Sequence, residues 1–392
     1  MDNALLDLRH MEAPQQPPWE DPAQVARVRG ELAAHPALVR AEDVAVLRSR
    51  LAEVAAGEAH VVQAGDCAED PDDCTAWHVA RKCAVLDLLA GALKLTTGRP
   101  VIRVGRLAGQ FGKPRSQPTE TVAGRELPVY RGHMVNGPEP DPESRRPDPL
   151  RLLTGYMAAD DIMGHLGWTG TRRAAGAEPR VWTSHEALLL DYELPMLRRT
   201  EDGGLLLAST HFPWIGERTR GLDGAHVALL AEVVNPVACK VGPGMTAEEL
   251  VRLCERLDPL REPGRLTLIA RTGAARAADV LPRLVAAVHA QGHPAIWLTD
   301  PLHGNTVSAP DGRKRRYTDT VRQEIEAFQA AVRAAGGIAG GLHLETTPDD
   351  VLECLPGGPA TEGGEPAGAY TSLCDPRLNP AQATAVVAAW RP

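Results

Sequence analysis

Long apolar runs, paired cysteines and an excess of positive charge are all missing from this sequence of 392 residues. No apolar run approaches the roughly 18 residues that cross a membrane. The N-terminus has early charges and no apolar signal core. The seven cysteines are an odd number without a C-x-x-C pair, which argues against a disulfide framework or a zinc ribbon. We therefore expect a cytoplasmic protein that has no membrane partner.

The formal net charge of -9 does not favour a nucleic-acid partner, because nucleic-acid binding needs cationic surface. A small anionic substrate stays open, since a cleft can be locally basic in an acidic protein. In this acidic context we interpret the basic run RKRR (313–316) as a solvated loop. No G-x-G-x-x-G follows an apolar run, which weakens a Rossmann interpretation.

Short apolar runs alternate with helix-like stretches or loops from residue 60 onward. The runs cover 60–63, 100–104, 180–184, 205–210, 237–241, 266–270, 295–299 and 338–345. Strands that alternate with helices predict a parallel sheet. Eight of them predict an α/β fold of the (β/α)8 TIM-barrel type, with a doubly wound open sheet as the alternative.

The domain organisation predicted from these patterns is one structural domain overall. Residues 1–58 carry two helical patterns and form a short helical N-terminal extension, and residues 59–392 form the (β/α)8 catalytic barrel. Two long irregular stretches interrupt the alternation, at 106–149 and 356–369. The first is rich in charge where the active-site loops of a barrel would lie, and the second reads as a flexible surface loop.

Four side chains that can bind a metal follow predicted strands or lie in the late segment LCDPRLNP. They are Cys67, His303, Glu345 and Asp375. One sulfur, one nitrogen and two oxygen donors suit a divalent first-row ion such as Mn²⁺, Co²⁺, Fe²⁺ or Zn²⁺. Each residue alone has a structural alternative, since a lone cysteine is usually a small core hydrophobe. Active-site groups of barrels lie at the carboxyl ends of strands, so the four together favour a metal site.

Cationic side chains are concentrated at or just beyond the same predicted strand ends. They are Arg106, Lys113, Arg115, Arg218, Lys240 and Arg271. Arginine and lysine bind phosphate and carboxylate, so this density predicts a substrate with more than one anionic group. Surface solubility is the alternative, which fits Arg115 well and Lys240 poorly, since Lys240 lies inside the run VACKVG. Glu217 in WIGERTR could hold a water, act as a general base, or orient Arg218 through an ion pair.

Several of these segments resemble, in order, the type II 3-deoxy-D-arabino-heptulosonate 7-phosphate (DAHP) synthases. They include GDCAED, VGRLAGQFGKPRS, WIGERTRGLDGAHV, NPVACKVGP, DPLHGNTV, GLHLETTPDDV and YTSLCDPRLNP. The likeness runs from about residue 5 to residue 392 and is greatest to the short form found in phenazine biosynthesis operons. The resemblance implies a (β/α)8 barrel that condenses phosphoenolpyruvate with D-erythrose 4-phosphate, the first step of the shikimate pathway. It also implies a divalent metal and the release of phosphate.

The resemblance also implies a role for each candidate site residue. Its metal ligands fall on Cys67, His303, Glu345 and Asp375, and Mn²⁺ or Co²⁺ is expected, with Zn²⁺ or Fe²⁺ as alternatives. Its phosphoenolpyruvate contacts fall on Arg106, Glu217, Arg218, Lys240 and Arg271. Its erythrose 4-phosphate contacts fall on Lys113, Pro114, Arg115 and Ser116. Of these, Glu217 would hold the attacking water, while Lys240 and Arg271 would grip the departing phosphate. A homodimer or homotetramer is implied too, and a chorismate mutase partner is allowed.

Two departures from the family pattern leave the sugar specificity open. His133 stands in YRGH where the family has YRGD, and Thr272 stands between Arg271 and Gly273 where the family has R-M-G. An aminoDAHP synthase that uses an amino sugar phosphate is therefore a near alternative. A catalytically silent barrel that binds a shikimate-pathway enzyme is an alternative of another class, as is a metal-dependent phosphate-ester hydrolase.

Overall fold

The computed structural model describes residue 8 and residues 10–122, 124–170, 181–309, 312–357 and 368–392. The chain forms two compact units. The first comprises Met1–Ala45, Ala68–Val79 and Leu107–Asn235, and the second comprises Val46–Cys67, Ala80–Arg106 and Pro236–Pro392. The division into an extension (1–58) and a barrel (59–392) stays a prediction. Over the described ranges, no helix combines the length and apolarity needed to cross a bilayer.

Strands and helices alternate along most of the described chain. The strands are β1 His60–Gly65, β2 Val101–Arg106, β3 Thr119–Val122, β4 Arg125–Pro128, β5 Trp182–Thr183, β6 Leu197–Arg199, β7 Leu205–Leu207, β8 Trp214–Ile215, β9 Val237–Val241, β10 Leu266–Ala270, β11 Ile296–Thr299, β12 Val307–Ser308, β13 Lys314–Tyr317, β14 Ile338–Glu345 and β15 Cys354–Leu355. The helices are α1 Pro22–Ala34, α2 Ala41–Ala55, α3 Ala76–Thr97, α4 Arg151–His165, α5 Leu190–Glu193, α6 Ala225–Glu232, α7 Ala247–Leu257, α8 Ala277–Ala290, α9 Thr318–Ala334 and α10 Pro380–Val387.

The main sheet has eight strands, and six of them belong to the second unit in the order β2-β1-β14-β11-β10-β9. These six pair in parallel. The first unit supplies the short strands β5 and β8. The α/β class and the (β/α)8 arrangement predicted from the sequence are confirmed.

The strand register in the second unit brings several strand ends to one level. Gly65 at the end of β1 pairs with Arg106 of β2 and with Glu345 of β14. Ala270 at the end of β10 pairs with Val241 and with Thr299. Since parallel strands all run the same way, the residues that follow these positions emerge at the same edge of the sheet.

The buried faces of strands and helices follow from their apolar residues. Strands β9 and β10 are buried along their whole length, as expected for a parallel sheet covered on both faces. Helix α7 turns Leu250, Leu253 and Leu257 inward at helical spacing. It begins at a capping box in which Thr246 accepts the backbone N–H of Glu249, and the Glu249 carboxylate accepts from Thr246 in return.

Two predictions about local structure were wrong. The run 205–210 is not a strand of the main sheet, because Leu205–Leu207 pairs antiparallel with Leu197–Arg199, and Trp214–Ile215 takes its place in that sheet. The run RKRR is not a solvated loop, because Lys314–Tyr317 forms a strand in which Arg315 and Arg316 are buried. A hairpin of β3 and β4 also lies inside the stretch 106–149, which read as irregular. Most of the predicted surface loop at 356–369 lies outside the described residues, as does Arg180.

Candidate metal centre and substrate site

The four candidate metal ligands come together in the second unit. Single ligand atoms of Cys67, Glu345 and Asp375 all lie within 4.8 Å of one another, and all three residues are buried. Nε2 of His303 lies 3.3 Å from Oε1 of Glu345 and 3.8 Å from Oδ2 of Asp375. The cluster joins a soft thiol, an imidazole and two carboxylates, which is a donor set that borderline divalent ions accept.

Asp300 orients His303 toward this cluster. Oδ2 of Asp300 lies 2.7 Å from Nδ1 of His303, so the Nδ1–H points at the carboxylate and Nε2 is left to face the other ligands. Asp300 is fully buried and also accepts a hydrogen bond from Nζ of Lys240. Burial acts to raise the pKa of Asp300, but the charges of His303 and Lys240 hold it well below its usual value. One carboxylate therefore joins a candidate metal ligand to a candidate phosphate-binding lysine.

Glu345 is fully buried between two arginines. Its Oε1 accepts from Arg106 at 3.2 Å, and its Oε2 accepts from Arg316 at 2.7 Å. Removing one partner from such a buried pair would leave an uncompensated charge, at a cost of about 3–5 kcal/mol. The two guanidinium groups thus fix the orientation of the Glu345 carboxylate.

Asp375 and Asp66 are held by cations in a similar way. Nζ of Lys314 lies 2.6 Å from Oδ1 of Asp375, which leaves Oδ2 beside Sγ of Cys67 at 3.7 Å. Asp66, which precedes the cysteine, binds Lys82 at 2.8 Å and Arg377 at 3.0 Å. Asp66 therefore orders the segment on which Cys67 lies.

Arg106 is positioned by a chain of hydrogen bonds through His343. Nη1 of Arg106 donates to Nε2 of His343 over 2.6 Å, so the ring proton lies on Nδ1 and is donated to Oε1 of Gln63 over 2.7 Å. Burial, together with the charges of Lys240 and Arg106, lowers the pKa of His343 well below its usual value. Because His343 is neutral, it places no second positive charge next to the Arg106 guanidinium. Arg106 itself is 2% exposed.

Lys240 has the most shifted pKa among the candidate substrate contacts. Burial lowers its pKa to about 8, Asp300 opposes that shift, and the charges of Arg106 and Arg271 add to it. Arg271 directly follows β10 and is half-buried. Arg106 and Arg271 thus lie close enough to Lys240 to lower its pKa, and an anion bound among the three groups would reduce their repulsion.

The segment Lys113–Ser116 lies in the first unit, after the loop that Glu69 orders. The Glu69 carboxylate accepts backbone N–H groups from Ala108, Gly109 and Gln110 at 2.7–3.1 Å. Lys113 is buried and its backbone N–H donates to Arg131. The Glu69 carboxylate therefore orders the loop before Lys113.

The next three residues differ in exposure and in partners. Pro114 is half-buried and Ser116 is exposed. Arg115 donates to the Tyr130 carbonyl and to Glu120. Its guanidinium therefore already has protein partners.

Glu217 and Arg218 take different partners in the first unit. Oε1 of Glu217 accepts from Arg220 at 2.9 Å, while Arg218 donates to Oγ of Ser116. Oε2 of Glu217 is buried and has no hydrogen-bond partner within the described residues. A buried carboxylate oxygen without a protein partner is a place where a water molecule would be held.

Sequence reasoning missed Asp300, Lys314, Arg316 and Arg377, which all touch the ligand carboxylates or their neighbours. Asp300 lies near His303 in TDPLHGNT and directly follows a predicted strand. That position could have identified it as a candidate site residue. Lys314 and Arg316 lie in RKRR, where charge density alone suggested solvent. Arg315 and Arg316 are buried because this run is a strand that pairs with Val307–Ser308 and with Cys354–Leu355, which the composition of the run does not reveal.

A parallel α/β barrel with this mixed donor cluster and these cations defines an enzyme for anionic, phosphorylated substrates. The sequence pattern of the class-II DAHP synthetase family matches residues 4–169 and 159–389. The chain belongs to the class-II DAHP synthetase family.

Named relatives agree with the family. The chain is 57% identical to a probable phospho-2-dehydro-3-deoxyheptonate aldolase of Pseudomonas fluorescens, over 100% of this chain and 98% of the relative. It is 40% identical to the phospho-2-dehydro-3-deoxyheptonate aldolase of Streptomyces coelicolor, over 95% and 93%. A solved structure of the aldolase from Francisella tularensis matches 98% of this chain and 95% of its own, with a TM-score of 0.52 and 12% identity, which supports the fold alone.

Proposed function

We propose that this enzyme condenses phosphoenolpyruvate with D-erythrose 4-phosphate to give DAHP and phosphate, with a divalent metal ion held by Cys67, His303, Glu345 and Asp375. The main support for the proposal is that these four side chains lie close together in the second unit. Cationic residues lie at the strand ends of the same unit. Family membership supports the reaction, which is the first step of the shikimate pathway.

Phosphoenolpyruvate needs a cationic site because it carries both a phosphate and a carboxylate. Arg106, Lys240 and Arg271 supply three positive groups in the second unit, and Arg218 supplies another in the first. In the reaction, C3 of phosphoenolpyruvate attacks the aldehyde carbon of the sugar, and C2 becomes cationic. Lys240 and Arg271 grip the phosphate, which leaves by cleavage of its C–O bond after water adds to C2.

Glu217 holds the water that adds to C2. Its Oε1 is fixed by Arg220, so Oε2 keeps a defined direction and can accept a proton from that water. The Lys113–Ser116 segment binds the phosphate of the sugar and thereby measures substrate length. Pro114 gives this segment a fixed backbone angle.

The donor set fits a first-row divalent ion, with Mn²⁺ or Co²⁺ as the proposed metal and Zn²⁺ or Fe²⁺ as alternatives. When bound, the metal supplies a Lewis acid for the aldehyde oxygen of the sugar. The protein's own contribution is to keep the thiol of Cys67 close to Asp375, whose backbone N–H donates to Sγ over 3.3 Å. A bound metal would require the thiolate form of this side chain.

Wider features of the enzyme are proposed on the family likeness. We propose a homodimer or homotetramer, with a chorismate mutase as a candidate partner and a phenazine pathway as a candidate destination of the product. We also propose the cytoplasm as its location. The seven cysteines all lie within the described residues and form no disulfide with one another, which fits a reducing compartment.

A direct assay tests the reaction. Metal-stripped protein is supplied with Mn²⁺ or Co²⁺, phosphoenolpyruvate and erythrose 4-phosphate, and both loss of enol absorbance and formation of DAHP are followed. We expect metal-dependent turnover with this sugar. Turnover with only an amino sugar phosphate would transfer the proposal to aminoDAHP synthesis. If folded protein turns over neither sugar with any metal, the remaining hypothesis is a catalytically silent barrel that binds a shikimate-pathway enzyme.

A further inference from the structure

Glu324 is a buried carboxylate that the proposed chemistry does not use. It lies on α9 and is 1% exposed, among buried apolar residues of the same helix that include Ile325 and Phe328. Burial, joined by the charge of Asp300, raises its pKa to about 7. Burying a carboxyl group costs free energy unless several hydrogen-bond donors compensate it. The donors that bind Glu324 therefore indicate its role.

All hydrogen bonds recorded for the Glu324 carboxylate come from two loops at the edge of the sheet. Oε1 accepts from the backbone N–H of Thr272 at 3.1 Å and of Gly273 at 2.9 Å, and from the Thr272 hydroxyl at 3.3 Å. Oε2 accepts from Nδ2 of Asn305 at 2.6 Å. The first loop follows β10 and the second follows β11, so the two carboxylate oxygens each hold one loop.

The same two loops touch backbone to backbone. Gly273 has φ of +80°, and a Cβ placed on Gly304 would lie 2.4 Å from the Gly273 nitrogen. Only glycine fits so close a contact. Oδ1 of Asn305 also accepts the backbone N–H of Ala274 at 3.0 Å, so Asn305 links Glu324 to the first loop a second time.

We propose that Glu324 is a positioning residue that fixes the loop carrying Arg271 relative to the loop carrying His303. Arg271 lies one residue before Thr272, and His303 lies two residues before Asn305. The inference rests on the proposed function, in which Arg271 grips the phosphate and His303 binds the metal. Glu324 itself contacts neither the phosphate nor the metal. It sets the distance between Arg271 and His303, which bind them. The Thr272 hydroxyl adds a side-chain donor to the two backbone donors of this loop.

The variant Glu324→Gln tests the proposal, because an amide has one acceptor oxygen where a carboxylate has two. Whichever way it turns, one loop loses its hydrogen bonds. We expect the Co²⁺ dissociation constant, measured by calorimetry on metal-free protein, and the KM for phosphoenolpyruvate to rise about tenfold. We expect kcat to change much less. Glu326→Gln is the control, since it makes the same substitution at an exposed residue of the same helix; both constants should stay at wild-type values.

Folded Glu324→Gln protein with wild-type Co²⁺ and phosphoenolpyruvate constants would overturn the proposal, and so would a fall in thermal midpoint alone. Should this variant fail to fold, Thr272→Val removes only the hydroxyl donor and keeps the side-chain shape. A roughly threefold rise in KM would then support the proposal, and an unchanged KM would refute it. If the wild-type protein shows no turnover, the proposed function fails. The calorimetric constants for Co²⁺ and for phosphoenolpyruvate would still decide the role of Glu324.

Discussion

At the residue scale, the site depends on charges that balance one another across short distances. Asp300 binds both Lys240 and His303, and Glu345 lies between Arg106 and Arg316. Cations compensate both of these buried carboxylates, as buried charges require. Positive and negative groups that are matched before ligands arrive need little reorganisation when they bind.

The shifted pKa of Lys240 predicts how activity depends on pH. A lysine grips phosphate only when protonated, and the Lys240 pKa of about 8 means that it loses its proton as pH rises through 8. We therefore expect kcat/KM for phosphoenolpyruvate to fall above about pH 8. Rates measured from pH 6 to 9.5 at saturating metal test this.

Two variants identify the group responsible for that fall. In Lys240→Arg the guanidinium stays charged, so the alkaline fall should disappear even if the rate is lower. In Asp300→Asn the carboxylate that raises the Lys240 pKa is lost, so the fall should begin about one pH unit lower. An alkaline limb that stays in place in both variants would exclude Lys240 as its cause.

At the element scale, burial and pairing decide what the apolar pattern leaves undecided. Strands Val237–Val241, Leu266–Ala270 and Ile338–Glu345 were predicted with their observed bounds, because each is a short, largely apolar run of the length of a strand. Leu205–Leu207 looks the same in sequence, yet its hydrogen bonds go to a hairpin partner after the turn at Gly203. The apolar composition of a run predicts that the strand is buried. The strand with which it pairs depends on the rest of the chain.

The candidate site shows the same limit. Cys67, His303 and Glu345 could be found because each lies at or just after a predicted strand, where barrels place their chemistry. Arg316 and Glu324 could not, since one lies in a charged run and the other on a helix. Their importance comes from contacts with residues 29 and 52 positions away in sequence. Contacts of that range depend on how elements pack, which no local pattern contains.

The capping box of α7 gives a prediction about stability that is separate from activity. Thr246→Ala removes the side-chain oxygen that accepts the backbone N–H of Glu249, so the free energy of unfolding should fall by about 1 kcal/mol. Urea unfolding measures this, and kcat/KM should not change. Glu248→Gln, in the same turn but outside the box, is the control. An unchanged free energy of unfolding in Thr246→Ala would show that the cap does not stabilise the helix.

At the scale of the whole molecule, we expect metal binding to be coupled to stability, because the proposed ligands come from distant parts of the chain. Cys67 and Asp375 are 308 residues apart in sequence, so unfolding separates them and abolishes the site. A ligand present at a hundred times its dissociation constant stabilises the folded state by about 2.7 kcal/mol. We therefore expect Mn²⁺ or Co²⁺ to raise the thermal midpoint of metal-stripped protein, in a concentration-dependent way.

Magnesium is the control for that experiment. Mg²⁺ prefers oxygen ligands and binds thiolates poorly, so the same concentration should leave the midpoint nearly unchanged. An equal rise with Mg²⁺ would point to a general effect of divalent ions on acidic surface. No rise with any first-row ion would argue against the cluster as a metal site.

We propose that condensation depends on a metal held in part by the Cys67 thiolate. Its most direct test compares Cys67→Ser with Cys254→Ser, a buried cysteine of the same unit that lies on α7. Both metal-stripped proteins are titrated with Co²⁺ while DAHP formation is measured. We expect Cys254→Ser to regain wild-type turnover. We expect Cys67→Ser not to regain it, and to bind Co²⁺ at least tenfold more weakly than the wild-type protein. Full turnover and unchanged Co²⁺ affinity in folded Cys67→Ser protein would contradict it.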